Sequence, residues 1–226
     1  MNWRKIIQFT LVHVGVAITA VPVNSTLNRI MITDLHLPAL LVGVLVALPY
    51  LLSPLQVVAG SWADQHTLWG RHRSPWIVIG GLMAAFGGYL TAHAVMLMGE
   101  NLLLGLPAAL LTFAAWGVGV NIASVSYLSL LSEQSENQEG WRSRAVSVMW
   151  TTMIVSTILT SLAISALLEP FSTDALYTAF GAVWLVASTF VLFGAAGIEE
   201  PSRRGVFLHR RAASPLAAIG TLAGNP

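Results

Sequence analysis

Residues 6–30 read IIQFTLVHVGVAITAVPVNSTLNRI, a run whose polar members carry no full charge until Arg29. A helix needs about 20 mostly apolar residues to cross the hydrocarbon of a bilayer. This run meets that length, exceeds the short apolar core of a signal peptide, and ends without a clean small-residue cleavage pattern. It therefore reads as a first membrane helix, preceded by Arg4 and Lys5.

The rest of the chain repeats the theme. Of 226 residues, 55% are hydrophobic and 9% charged, and the mean hydropathy is +0.72. A soluble domain carries about 25% charged residues, so one soluble core of this length cannot account for so much apolar surface. Further spans are expected at about 37–62, 75–98, 102–131, 145–168 and 175–198, with the end of the fourth leaving the membrane. Short polar breaks between them force antiparallel neighbours. The expected fold is an all-α membrane protein, a six-transmembrane-helix bundle over 1–198, followed by a basic, then Ala/Gly-rich tail over 199–226. Cysteine is absent and the net charge is +1. Disulfides and thiolate metal sites are thereby excluded, and nothing suggests nucleic acid.

Charge placement orients the bundle. Arg4, Lys5, Arg71, Arg73, Arg142, Arg144, Arg203, Arg204, Arg210 and Arg211 all fall on one side of a six-span arrangement. Of the 11 Lys and Arg residues, Arg29 alone falls on the other. The positive-inside rule makes the basic side, with both termini, cytoplasmic.

The break between spans two and three carries a motif. Gly60-Ser-Trp-Ala-Asp64 closes span two, Gly70-Arg71-His72-Arg73 follows, and Ser74-Pro75-Trp76 opens span three. Gly60 permits close helix approach, Asp64 can cap a helix or pair with an arginine, Gly70 permits a tight turn, and Arg71 and Arg73 suit anionic headgroups. An ordinary polar loop obeying the charge rule is equally consistent with these residues.

This segment resembles the signature loop of the major facilitator superfamily. The six positions from Asp64 to Gly70 exceed the common spacing. The longer loop with Arg-x-Arg-x-Pro is similar to the bacteriochlorophyll-delivery branch, the PucC/LhaA-like factors. Leu27–Leu35, Pro38–Gly43, Leu52–Leu55 and Arg142–Trp150 fit the same branch, with Asp34 and Gln56 as departures. The resemblance covers about Arg4 to Glu200 and corresponds to an N-terminal six-helix half. Halves of that fold are parallel repeats about an axis along the membrane normal. A homodimer, a separately encoded second half, or truncation each accommodates one half.

The resemblance implies a membrane factor for assembly of light-harvesting or reaction-centre complexes that binds or delivers bacteriochlorophyll or a precursor. Its partners would be light-harvesting or reaction-centre polypeptides and lipid, and its location a bacterial inner, photosynthetic membrane. Two alternatives stay open. One is a permanent pigment-binding or linker subunit. The other is half of a small-molecule transporter, which the scarcity of charge within the spans disfavours for proton coupling.

Polar residues inside spans are costly and mark candidate sites. His13 in span one and His93 near the outer end of span three are candidate axial ligands for a pigment magnesium; a histidine bonded to a neighbouring helix is the plainer reading of each. Asn24, Asn28 and Arg29 form a polar group near the outer end of span one, where Arg29 can snorkel or pair with Asp34. Gln56 and Asn121 are mid-span amides suited to a cavity or to helix joining. Glu133 faces Arg142 and Arg144 on the cytoplasmic side and could pair with Arg71 or Arg73; a solvated charged loop is the equal alternative. No catalytic constellation is recognisable: there is no Walker loop, dinucleotide fingerprint or metal-ligand spacing. An enzyme is not expected, nor any metal besides a pigment magnesium.

Overall fold

The computed structural model describes residues 2–54, 68, 70–136 and 138–200. Among these the chain forms helices: α1 (Trp3–Val21), α2 (Ala39–Leu51), α3 (Ser74–Glu100), α4 (Leu102–Gln134), α5 (Glu139–Leu167) and α6 (Thr173–Ala195). Five are long and apolar enough to cross a membrane, while α2 is a shorter apolar helix within the described residues. The chain is an all-α membrane bundle.

α1 does not stop at Val21. It widens into π-helical turns at Pro22–Leu27 and Ile30–Asp34. Pro22 has no N–H to donate to the preceding turn, and a membrane offers no water to satisfy the freed carbonyls. Within the π-helical segment two hydroxyls bond back to the preceding turn: Ser25 Oγ donates to the Val21 carbonyl (2.6 Å) and Thr33 Oγ1 to the Arg29 carbonyl (2.8 Å).

α3 and α4 form the most extensive interface. They are joined by Asn101, whose side-chain oxygen accepts from the backbone N–H groups of Leu103 and Leu104 at 3.0 and 3.2 Å and so caps α4. The close approach depends on glycine. A Cβ on Gly119 would lie 2.4 Å from the Ala84 nitrogen, and one on Gly80 would lie 2.6 Å from the Ala123 nitrogen. Small residues allow such backbone contact where lipid supplies no hydrophobic drive for helix association.

α1 sits centrally, against α3, α4, α5 and α6. α5 joins the bundle chiefly through α1 and touches its chain neighbour α6 only slightly. Its outward face therefore exposes Trp150, Ile154, Ile158, Leu159 and Leu162. Two larger apolar clusters, with two smaller ones, fill the bundle among the described residues. One, toward the basic end, includes Ile6, Phe9, Ile77, Tyr127 and Met149; the other includes Leu27, Met31, Phe113, Trp116 and Phe180.

Helix ends differ from those read from hydropathy. The first helix runs on to Asp34, the fourth to Gln134, and the fifth begins at Glu139 rather than 145. Charge ends an apolar run, but it does not end a helix that continues into the interface. The segment read as a loop over 132–144 is accordingly mostly helix.

Candidate functional site

His13 lies where α1, α4 and α5 meet. It is 8% exposed. Its Nδ1 is 2.6 Å from the Tyr127 hydroxyl of α4, and its Nε2 is buried with no hydrogen-bond partner. Tyr127 meets the imidazole edge-on and Trp150 of α5 is tilted against it, each with ring centroids 5.5 Å away. Its place inside an apolar span singled out His13 but not Tyr127, which is 114 positions distant; only the α1–α4 packing brings them together.

His93 is in a different setting. Its ring stacks on Tyr177 at 4.0 Å and 5° between planes, within an aromatic group that includes Tyr89 and Trp184. Its Nδ1 is 3.4 Å from the Tyr89 carbonyl of its own helix.

Toward the far end, Arg29 lines a cleft of about 230 Å³ with Ser25, Thr26, Ser161, Ser165 and Glu169. Among the described residues Arg29 forms no ion pair with Asp34, which instead accepts from Thr33 Oγ1 (3.2 Å). Arg29 is exposed and borders the cleft. Asn24 and Asn28 are half-buried, do not line the cleft, and are separated by a π turn to which α-helical i,i+4 register does not apply. Asn121 is buried, and its Nδ2 donates to the Pro49 carbonyl (3.3 Å), joining α4 to α2.

At the basic end a polar cluster binds three helix ends. Glu199 follows α6, and its carboxylate accepts from the backbone N–H groups of His72 (2.8 Å), Arg73 (3.0 Å) and Ser74 (2.7 Å) at the start of α3. Burial opposes ionisation there, but these donors prevail and hold the carboxyl below the usual glutamate range. Gln8 Nε2 donates to the Ala196 carbonyl (2.6 Å) and Gln134 Nε2 to the Ile198 carbonyl (2.8 Å). Arg73, 8% exposed, pairs with Glu133 at 3.2 Å. Arg142 and Arg144 stay exposed and are not in ion pairs with Glu133. Arg73 reaches Glu133 because the loop before α3 packs beside the end of α4, whereas the first turns of α5 point outward. Gly70 takes φ 70°, the left-handed turn expected of it, and the turn is closed by paired Leu68–Arg71 backbone bonds of 3.0 Å. Gln56, Gly60 and Asp64 lie outside the described residues. Glu199 was missed in the sequence because an acidic residue after a span reads as solvated.

Bundle and buried polar sites together define a polytopic helical membrane protein with an unsatisfied histidine nitrogen in its interior. The family model for the PUCC protein matches residues 26–219. The chain belongs to that family. It is 34% identical over 154 residues to the bacteriochlorophyll synthase 44.5 kDa chain of Rhodobacter capsulatus, covering 66% of this chain and 34% of the relative. Protein PucC of Cereibacter sphaeroides is 31% identical over 145 residues, covering 60% and 31%. Protein PucC of Rhodobacter capsulatus is 33% identical over 138 residues, covering 57% and 30%. The matched part thus spans about a third of the length of these relatives. No solved structure matches the chain.

Proposed function

We propose that this chain is a membrane factor for assembly of light-harvesting or reaction-centre complexes, and that it binds or hands over bacteriochlorophyll without acting as an enzyme. The name of the bacteriochlorophyll synthase chain among the relatives supports the pigment. The single observation that carries the reading into this chain is His13, whose Nε2 is buried without a partner. Buried polar atoms are nearly always hydrogen-bonded, and an exception calls for an explanation. A neutral imidazole is a sufficient axial ligand for a magnesium tetrapyrrole, so the residues present fit that group. Bound there, the pigment would supply the light-absorbing macrocycle, and the protein would hold and release it.

On this reading the chain works in a photosynthetic inner membrane with its basic end cytoplasmic, the positive-inside arrangement. Its partners are light-harvesting or reaction-centre polypeptides, with a second half or a second copy completing the bundle. The test is expression in a bacteriochlorophyll-making host, followed by detergent purification and absorption spectroscopy. Pigment co-purifying at a fixed ratio is expected. Colourless protein from a pigmented membrane overturns the reading. Protein retained at a fixed ratio in mature complexes would make it a permanent subunit instead.

A further inference from the structure

We infer that His13 and Tyr127 form a ligating pair for the magnesium of a bacteriochlorophyll-type tetrapyrrole, which arrives sideways from the lipid past Trp150. The inference rests on the pigment-handling reading above and adds the ligating atom, its positioning residue and the route.

The proton on His13 decides which nitrogen can ligate. If Nε2 carried it, a buried donor would have no acceptor, the costly arrangement for a polar group away from water. With the proton on Nδ1, the ring donates to the Tyr127 hydroxyl at 2.6 Å and Nε2 is left with a free lone pair. That is how ligating histidines are usually held: the other ring nitrogen donates to an oxygen that fixes tautomer and orientation. Tyr127, 4% exposed on α4, is such a positioning residue. At His93 the corresponding contact is longer, with Nδ1 3.4 Å from the Tyr89 carbonyl.

The route follows from Trp150. Its ring lies against the imidazole, yet the residue is 54% exposed on the outward face of α5. Tyr127 and His13 are enclosed by the bundle, so Trp150 is the member of the trio that borders lipid. On this inference the exposed indole is the group that moves aside for the pigment to reach the imidazole. A flat apolar macrocycle dissolved in hydrocarbon needs no aqueous path.

The experiment offers bacteriochlorophyll a, or magnesium-free bacteriopheophytin a, to the purified chain in phosphatidylcholine nanodiscs. Uptake of the magnesium form with a five-coordinate absorption signature, and little of the metal-free form, is expected. Tyr127→Phe should weaken uptake about tenfold, and His13→Ala should abolish the preference for magnesium. Trp150→Ala should speed uptake several-fold. Wild-type uptake that both H13A and Y127F leave unchanged overturns the ligation while the proposed function stands; no wild-type uptake removes both. Unaltered or slower uptake by W150A overturns the lateral route. Nitrogen NMR of His13 in pigment-free protein gives a readout independent of variant folding. A proton on Nδ1 supports the pair, and a proton on Nε2 overturns it.

Discussion

Glu199, just beyond the last helix, accepts the backbone N–H of Ser74 at 2.7 Å, and so fastens the end of α6 to the beginning of α3. The first N–H groups of a helix have no intrahelical acceptor and carry partial positive charge. A carboxylate there is therefore both a cap and a counter-charge. Proline at position 75 leaves Ser74 and its predecessors as the remaining donors, and Glu199 takes them.

That contact depends on pH in a definite direction. The folded carboxyl titrates below its unfolded value, which is about 4.3 for glutamate. Its contribution is complete above the unfolded value and is lost as pH falls through the folded one. Thermal melts of the detergent-solubilised chain should show a stability loss on acidification below about pH 4.3 that Glu199→Gln reduces. At neutral pH the variant should itself cost about 1–3 kcal/mol. Identical pH profiles for the two proteins would remove this role.

Gly119→Ala should destabilise by about 1–3 kcal/mol, since its Cβ would lie 2.4 Å from the Ala84 backbone nitrogen. Gly43→Ala on α2 meets nothing within 4 Å and should be neutral or slightly stabilising, as alanine is the better helix former. Urea or thermal unfolding of the pair in one detergent checks the contrast; equal effects would contradict the α3–α4 contact.

Thr19 links α1 to α4. Its hydroxyl accepts from Trp116 Nε1 at 3.0 Å while donating to the Val16 carbonyl at 2.7 Å. Both side chains are buried. Thr19→Val keeps the shape and orphans the indole N–H, for an expected loss of about 1–3 kcal/mol. Thr19→Ser should recover most of it. Thermal melts of the two variants that coincide would show the hydrogen bond to be immaterial.

The absence of native cysteine makes topology directly measurable. Glu136→Cys, between α4 and α5, should react with an impermeant maleimide from the cytoplasmic side, and Phe171→Cys, between α5 and α6, from the opposite side. Labelling of both from one side would contradict the span count.

The apolar runs were legible because hydrocarbon sets a length that composition alone reveals. Helix ends such as Glu139 and Asp34 were not, since charge marks the membrane edge rather than the end of hydrogen bonding. The His13 pocket was half legible. A lone intramembrane histidine stands out, but its partner Tyr127 looks like any other aromatic until α4 is laid against α1. Glu199 was hidden for a different reason: the groups it binds are backbone N–H donors, which every residue but proline possesses and which no letter of the sequence distinguishes.

The central place of α1 has a consequence for how the protein is made. α1 precedes its partners in the chain: its Gln8 donates to the Ala196 carbonyl beyond α6, and its His13 meets Tyr127 of α4. During synthesis His13 sits without its companion until α4 has been made, and Gln8 until α6 has. Biogenesis therefore passes through a stage in which α1 waits for helices made after it, and its buried polar contacts are complete only when α6 arrives.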